Sequence, residues 1–151
     1  MTTEGSSAPH VVVGVDGSTE SISALRWAAQ YAAATAAAVK AVLCWHYPAA
    51  VGPAPVGKAP KAITDQVRAE MQEHLDKALT EVFGTAAPAR VQSEVAYGHP
   101  AEVLVTESQH ADLLVVGNRG HGKFTGMLAG SVSMHCVTHA ACPVVVVRGD
   151  E

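Results

Sequence analysis

The sequence predicts an α/β protein built on one open parallel sheet, with helices on both faces. Strand-like apolar runs alternate with segments of helical period from one end of the chain to the other. The first, fourth and fifth predicted strands are apolar almost without interruption, as expected for strands buried on both sides. The length of 151 residues suits a single domain, and no internal repeat or interdomain linker is evident.

The first half of the chain supplies two predicted strands and two helices. HVVVGVD predicts a buried strand over residues 10–15, and Ser18 is placed to cap the helix that follows. VKAVLCWHY predicts a second strand, and a second helical period runs over residues 61–83, where Gly84 can end it. The Pro- and Gly-rich stretch PAAVGPAPVGKAP between them predicts a surface loop. The sheet-packing face of the first helix is predicted from apolar residues at helical spacing: Ile22, Leu25, Ala29 and Ala32.

The second half continues the alternation. RVQSEVAY predicts a more exposed third strand, and Pro100 lies near the first turn of a third helix. DLLVVG predicts the fourth strand, a fourth helix runs from Ser131 to about Ala140, and CPVVVVR predicts the fifth strand. We therefore expect a flexible polar tail over residues 1–9 and one folded domain over residues 10–149.

Composition excludes several classes of protein. A net charge of -4 and scattered Lys and Arg argue against a nucleic-acid binder. The sequence contains no uninterrupted run of about 18 apolar residues, so a membrane span is not expected. The start of the chain does not resemble a secretory signal. The cysteines, Cys44, Cys136 and Cys142, are odd in number and irregular in spacing, which indicates reduced thiols in a cytoplasmic protein.

Two strand exits carry the residues that point to a ligand. In an open parallel sheet, ligands bind beyond the carboxyl ends of the strands, where the chain order reverses. Asp16 follows the first strand, and GNRGHGKFTGMLAGSVS follows the fourth. Gly117 and Gly120 allow a sharp turn, while Gly130 and Ser131 lie at a helix start, where free amides attract an anion. We expect Asp16 and the glycine segment to share one crevice.

The same residues also have plainer interpretations. A glycine cluster after a strand is often only a turn, and an Asp at a strand exit often caps a helix or holds a turn. If Asp16 acts on a ligand, it can accept hydrogen bonds from ribose hydroxyls or hold a divalent cation that bridges phosphates. Together with an anion site, these roles describe a nucleoside triphosphate.

The pattern Gly117, two residues, Gly120, nine residues, Gly130-Ser131 resembles the ATP-binding signature of the universal stress protein family. VVVGVDGS, YGHPAEVLV, ADLLVVGNRGHG, LAGSVS and CPVVVV extend the resemblance over nearly the whole chain. The resemblance implies a Rossmann-like, five-stranded parallel sheet in the order 3-2-1-4-5, of the adenine nucleotide alpha hydrolase-like type. It also implies a homodimer paired through the last strand.

The resemblance implies ATP, with Mg²⁺ as a possible companion ion, as the ligand. Asp16 would contact ribose or adenine, the strand end near Trp45 would contact adenine largely through its backbone, and Arg119 would reach phosphate. The implied nucleotide-binding residues are Val15, Asp16, Trp45, Gly117, Asn118, Arg119, Gly120, Gly130, Ser131, Val132 and Ser133.

Three functions follow as alternatives. The first is a nucleotide-dependent regulatory module in the stress response. The second is a slow ATPase or nucleotidyl-transfer enzyme, for which Asp16 and His121 are the only candidate bases. The third is a dimeric partner-binding protein that works without ATP. The chain lacks a P-loop, a dinucleotide-binding glycine fingerprint and a nucleophile elbow.

One further pair of side chains has metal-binding spacing. His135 and His139 lie four residues apart in HCVTH, which suits one face of a helix. No Glu lies between them, and Cys142 and His110 are the only nearby candidates for a third ligand. Exposed or helix-capping histidines are the plainer interpretation, so no metal site is assigned from the sequence.

Overall fold

The chain alternates strand and helix throughout the part that the structure describes. This structure is a computed structural model, and it describes residues 8–45, 61–85, 88–118 and 130–149. Residues 1–7 of the expected tail lie outside these ranges. In chain order the described elements are β1 (His10–Gly14), α1 (Thr19–Thr35), β2 (Ala38–Trp45), α2 (Lys61–Phe83), β3 (Val91–Tyr97), α3 (Pro100–Ser108), β4 (Leu113–Gly117), α4 (Ser131–His139) and β5 (Val144–Val147).

The five strands form one parallel sheet in the order β3-β2-β1-β4-β5. Val11 of β1 lies opposite Val39 of β2 and Leu113 of β4, so β1 is the central strand. The chain order reverses there, because β2 follows on one side and β4 on the other. The expected fold class and strand order are both confirmed.

Local signals explain where the helices begin and end. The Ser18 hydroxyl oxygen accepts from the Ser21 amide at 3.2 Å and caps α1, as its position predicts. Ala36, with φ of 61°, ends α1 in the left-handed conformation. Gly84, with φ of +81°, ends α2 and donates its amide to the Thr80 carbonyl at 2.8 Å. Pro100 is the first residue of α3, where its missing amide hydrogen has no cost.

The buried face of α1 differs from the expected one. Leu25 and Ala32 are buried as predicted, but Ile22 and Ala29 are only partly buried. The buried residues of α1 are Ser21, Ala24, Leu25, Ala28 and Ala32. Except for Leu25, these side chains are small, which lets the helix backbone approach the sheet closely. The prediction omitted Ser21 because it is polar, and it omitted Ala24 and Ala28 because alanines occur on several faces of this helix and do not mark the buried one.

The core has two layers, one on each side of the sheet. Val11 and Val13 face the layer that contains Leu25 of α1 and Leu75 of α2. Val12 faces the layer that contains residues of α3 and α4. Leu25 and Leu75 are fully buried, and each such leucine stabilises the fold by about 1.5–3 kcal/mol. No helix in the described ranges is long and apolar enough to cross a membrane.

Candidate functional site

The carboxyl ends of β1 and β4 lie side by side in the sheet. Val13 of β1 is in register with Val115 of β4, so Asp16 and Asn118 follow at neighbouring strand ends. The structure therefore places Asp16 and the start of the glycine segment at the switch point of the sheet, where ligands of this fold class bind.

The two described ends of the glycine segment, at Asn118 and Gly130, are hydrogen-bonded to each other. The Gly130 amide donates to the Asn118 carbonyl oxygen, and the Asn118 amide donates to the Val147 carbonyl of β5 at 2.8 Å. This pair of bonds fixes the start of α4 at the β4 exit. Arg119 and Gly120, both predicted to contact the nucleotide, lie outside the described residues.

The first turn of α4 presents backbone donors at this position. Gly130 is the N-cap residue, with φ of -79° and ψ of 175° and no side-chain capping bond. The first helical bond of α4 runs from the Met134 amide to the Gly130 carbonyl at 3.0 Å. Within the described ranges, no group accepts from the amides of the three preceding residues, Ser131, Val132 and Ser133. Such amides, together with the helix dipole, favour an anion.

Ser131 and Ser133 have different surroundings, although both are in the predicted site. Ser131 is exposed, so its hydroxyl can reach a ligand. Ser133 is 2% exposed, and its hydroxyl lies 3.0 Å from the Gly130 carbonyl and 3.3 Å from the Asn118 carbonyl. Val132 is partly buried and packs against the α3–α4 layer of the core. The Ser133 hydroxyl therefore holds the first turn of α4 against the β4 exit.

Asp16 organises the start of α1. Its Oδ1 accepts from the Ser18 amide at 2.9 Å and from the Ser18 hydroxyl at 2.5 Å, while its own amide donates to the Ser21 hydroxyl at 3.2 Å. This is the turn-holding role that the sequence left open for Asp16. The residue is nevertheless exposed, at the carboxyl end of the central strand. The turn fixes where its carboxylate lies.

Gly117 and Val15 fit tightly into the fold itself. A Cβ on Gly117 would lie 2.8 Å from the carbonyl carbon and oxygen of Glu20 in α1, so this position needs glycine whether or not a ligand is present. Val15 is buried, and its amide donates to the Val42 carbonyl at 2.9 Å. Val15 therefore anchors the β1 exit to β2.

Two aromatic side chains, Trp45 and Tyr97, are in contact at the carboxyl ends of β2 and β3. The Trp45 carbonyl accepts from the Gly98 amide at 2.8 Å, and the Trp45 ring packs edge-on against Tyr97, with ring centroids 4.7 Å apart. Trp45 is buried, whereas Tyr97 is 51% exposed. Tyr97 was absent from the predicted site. The parallel pairing of its strand with β2, which sets Trp45 opposite Tyr97, was the available signal.

Asn118 has a buried acceptor at the centre of these features. No described residue donates to its Oδ1, which is shielded from solvent. A carboxamide oxygen in such a place suits a hydroxyl or amine donor and disfavours a phosphate oxygen.

The described part of the chain contains no group of three or more His, Cys, Asp and Glu side chains that could hold a metal ion.

Comparison with known sequences gives one consistent family. The model of the universal stress protein family matches residues 8–148. A universal stress protein of Mycolicibacterium smegmatis is 34% identical over 151 aligned residues, which cover 93% of this chain and 48% of the relative. One from Mycobacterium tuberculosis is 33% identical over 154 residues, covering 97% of this chain and 50% of the relative. The chain thus spans about half the length of the curated relatives it matches.

Solved structures share the fold. The universal stress protein UspA from Lactobacillus plantarum superposes with a TM-score of 0.72 at 23% identity, covering 93% of this chain and 97% of that one. A universal stress protein in complex with cAMP superposes with a TM-score of 0.58 at 28% identity, covering 94% of this chain and 98% of that one. The first of these likenesses supports the fold alone.

Proposed function

The chain belongs to the universal stress protein family, and we propose that it is an ATP-binding member that acts as a nucleotide-dependent regulatory module in the stress response. One observation carries the proposal. The bond between the Gly130 amide and the Asn118 carbonyl holds the start of α4 at the switch point of the sheet, next to the exit of β1.

The first turn of α4 would hold the phosphates. The amides of Ser131, Val132 and Ser133 precede the first helical bond, and the exposed Ser131 hydroxyl adds a fourth donor. Donors at a helix start, reinforced by the helix dipole, form an anion site. Arg119, which lies between Gly117 and Gly120 in the sequence, is the proposed cationic contact.

The nucleoside would lie toward β1 and β2. The Asp16 carboxylate repels phosphate but accepts well from ribose hydroxyls, which favours placing the sugar on the β1 side. The buried Asn118 Oδ1 supports the same orientation, because it needs a donor that phosphate lacks. On this side Val15 follows β1 and Trp45 ends β2, and the strand end near Trp45 would contact adenine largely through its backbone.

A magnesium ion would enter with the triphosphate. Asp16 is the one acidic side chain proposed for it, and its Oδ1 already accepts two hydrogen bonds from Ser18. Mg²⁺ keeps several waters and is commonly held by one or two carboxylates together with phosphate oxygens. The protein would therefore add little to the affinity of the ion, and the nucleotide would supply most of its ligands.

Isothermal calorimetry with ATP, AMP and cAMP tests the assignment. The backbone of Gly130 is in an extended conformation that any residue can adopt, so Gly130→Val should fold while its side chain obstructs the phosphates. Thr138→Ala, at an exposed position near the end of α4, is the matched control. We expect ATP binding in the wild type and the control, with at least about a tenfold loss in Gly130→Val.

Two results would contradict the proposal. Equal ATP affinity in the wild type and Gly130→Val would show that ATP does not bind at the start of α4. If none of the three nucleotides binds, the proposal that this chain is a nucleotide-binding protein is wrong. A preference for cAMP over ATP would reassign the ligand, since one related structure is a cAMP complex.

We also propose a homodimer through β5. All four residues of β5 are only partly buried, and this strand is at the edge of the sheet. Met134 and Val137 on α4, the helix that precedes β5, are 51% and 55% exposed and are additional exposed apolar side chains. An unprotected apolar edge strand favours pairing with another chain. Sedimentation should show a dimer that Val137→Asp weakens, and a monomer at all concentrations would overturn the proposal.

A further inference from the structure

His135 and His139 lie together on the last turn of α4. Their spacing of four residues puts them on one helix face, and their ring centroids are 4.3 Å apart with an angle of 26° between the planes. His139 is exposed and His135 is partly exposed. Two imidazoles therefore meet at the surface of the last turns of α4.

A hydrogen bond fixes which nitrogen of His139 is available. Its Nδ1 lies 3.1 Å from the His135 carbonyl oxygen. Because a carbonyl only accepts, the bonded Nδ1 must carry the hydrogen, and the neutral ring then has its lone pair on Nε2. Metal-ligating histidines usually donate their other ring nitrogen to such a partner, which orients the ring. The end of a helix also favours a bound cation, because the dipole is negative there.

We propose that His135 and His139 form a surface site for a divalent transition-metal ion of the Cu²⁺, Ni²⁺ and Zn²⁺ class. Two imidazole nitrogens would bind the ion, and water would complete its coordination. These ions favour imidazole ligands, whereas Mg²⁺ and Ca²⁺ favour oxygen. The stacked rings must rotate to converge on one ion, and side-chain rotation at exposed positions is rapid.

The neighbouring cysteines do not complete a closed site. Cys136 follows His135 in sequence but is fully buried in the α3–α4 layer of the core. Burial also raises the pKa of the Cys142 thiol, which disfavours the thiolate that a metal ion needs. The proposed site is therefore an open, two-histidine site that exchanges its ion with solvent, unlike a four-ligand structural zinc site.

The site is separate from the proposed nucleotide site. His139 is the last residue of α4, and the proposed phosphate contacts are at its first turn. With a rise of 1.5 Å per residue, the two ends are about 12 Å apart. Loss of metal binding and loss of nucleotide binding can thus be measured independently of each other.

Calorimetric titration of the nucleotide-free protein with Cu²⁺, Ni²⁺ and Zn²⁺ tests this inference. We expect one site per chain in the wild type and at least about a tenfold weaker affinity in His135→Gln and in His139→Gln. His74→Gln, at an exposed position on α2, should leave the affinity unchanged. The double variant Val137→His/His139→Gln keeps the number of histidines but spaces them two apart, so it should lose the site too.

A second measurement does not depend on variants. Titration of the wild type with Zn²⁺, followed by nuclear magnetic resonance, should shift the ring signals of His135 and His139 together and before those of other histidines. Unchanged metal affinity in His135→Gln and His139→Gln would overturn the proposal. So would zinc-dependent shifts that occur only at other histidines. Circular dichroism of each variant verifies that α4 remains folded.

Discussion

Gly117 lies directly against the backbone of Glu20. A Cβ built on Gly117 would be 2.8 Å from both the carbonyl carbon and the carbonyl oxygen of Glu20, closer than real side chains approach. The obstructing atoms are helix backbone, which cannot move aside as the tip of a flexible side chain can. The first glycine of the nucleotide signature is thus needed to pack the first turn of α1 against the β4 exit.

Gly117→Ala should therefore destabilise the protein even without a ligand. Forcing one extra carbon into a well-packed place typically costs about 1–3 kcal/mol. Urea unfolding of the nucleotide-free variant and wild type gives the difference in the free energy of unfolding. Gly130→Ala is a useful comparison, because Gly130 has an ordinary extended φ of -79°. Equal stability of Gly117→Ala and the wild type would show that α1 does not pack as described.

Substitutions of Ser131 and Ser133 should distinguish an effect on ATP binding from an effect on stability. The Ser133 hydroxyl is buried and lies within hydrogen-bonding distance of the Gly130 and Asn118 carbonyls. Ser133→Ala should lower the free energy of unfolding by about 1 kcal/mol. Ser131 is exposed, so Ser131→Ala should leave stability within about 0.5 kcal/mol but weaken ATP binding. Each variant is the control for the other, and a reversed pattern would contradict the placement of these hydroxyls.

The pattern of apolar and polar residues was sufficient to predict most of the strands and helices. Alternating apolar runs and helical periods predicted the order of the strands and helices, and α2 begins and ends at the expected residues. The strand order came from the family resemblance, because periodicity does not say which strands are neighbours. The flanking cysteine and arginine of the predicted fifth strand, Cys142 and Arg148, lie outside β5, which covers only Val144–Val147.

The site was harder to predict, because a residue there can contact other parts of the fold and can also contact a ligand. Asp16 and Gly117 were both identified from the sequence, but their contacts within the fold depend on where α1 begins. The bonds from Ser18 to Asp16 are local to the turn before α1, whereas Glu20 and Gly117 come together only after the sheet and α1 have packed. Tyr97 was not identified because its position opposite Trp45 depends on the register of two strands, which the sequence pattern does not give.

The thiols should be slow to react in the folded protein. Burial raises the pKa of Cys44 to about 12 and that of Cys136 to about 11. Since the thiolate is the reactive species, few of these groups are ionised at pH 8. Titration with a thiol reagent should show slow modification of Cys44 and Cys136 in buffer and rapid modification of all three thiols in denaturant. Rapid stoichiometric labelling of Cys44 in buffer would contradict its partial burial and its raised pKa.

The Lys40 cluster should make stability depend on pH in the alkaline range. The Lys40 ammonium on β2 lies 2.7 Å from Glu94 Oε1 and 2.9 Å from Glu107 Oε1. The hydrogen bond to Glu94, aided by Glu107 and opposed by partial burial, raises the pKa of Lys40 above its ordinary value of 10.5. Folding therefore favours the charged form. Its contribution is fully present below pH 10.5 and is lost as the pH rises through the folded-state pKa.

Comparison of the wild type with Lys40→Met should reveal this contribution. We expect a stability difference of up to about 1 kcal/mol near neutral pH, because these side chains are partly exposed to solvent. Urea unfolding at a series of pH values should show the difference shrinking above pH 10.5. Lys77→Met, at an exposed position on α2, corrects for general alkaline effects. A difference that stays constant through this range would mean that the ion pairs do not stabilise the fold.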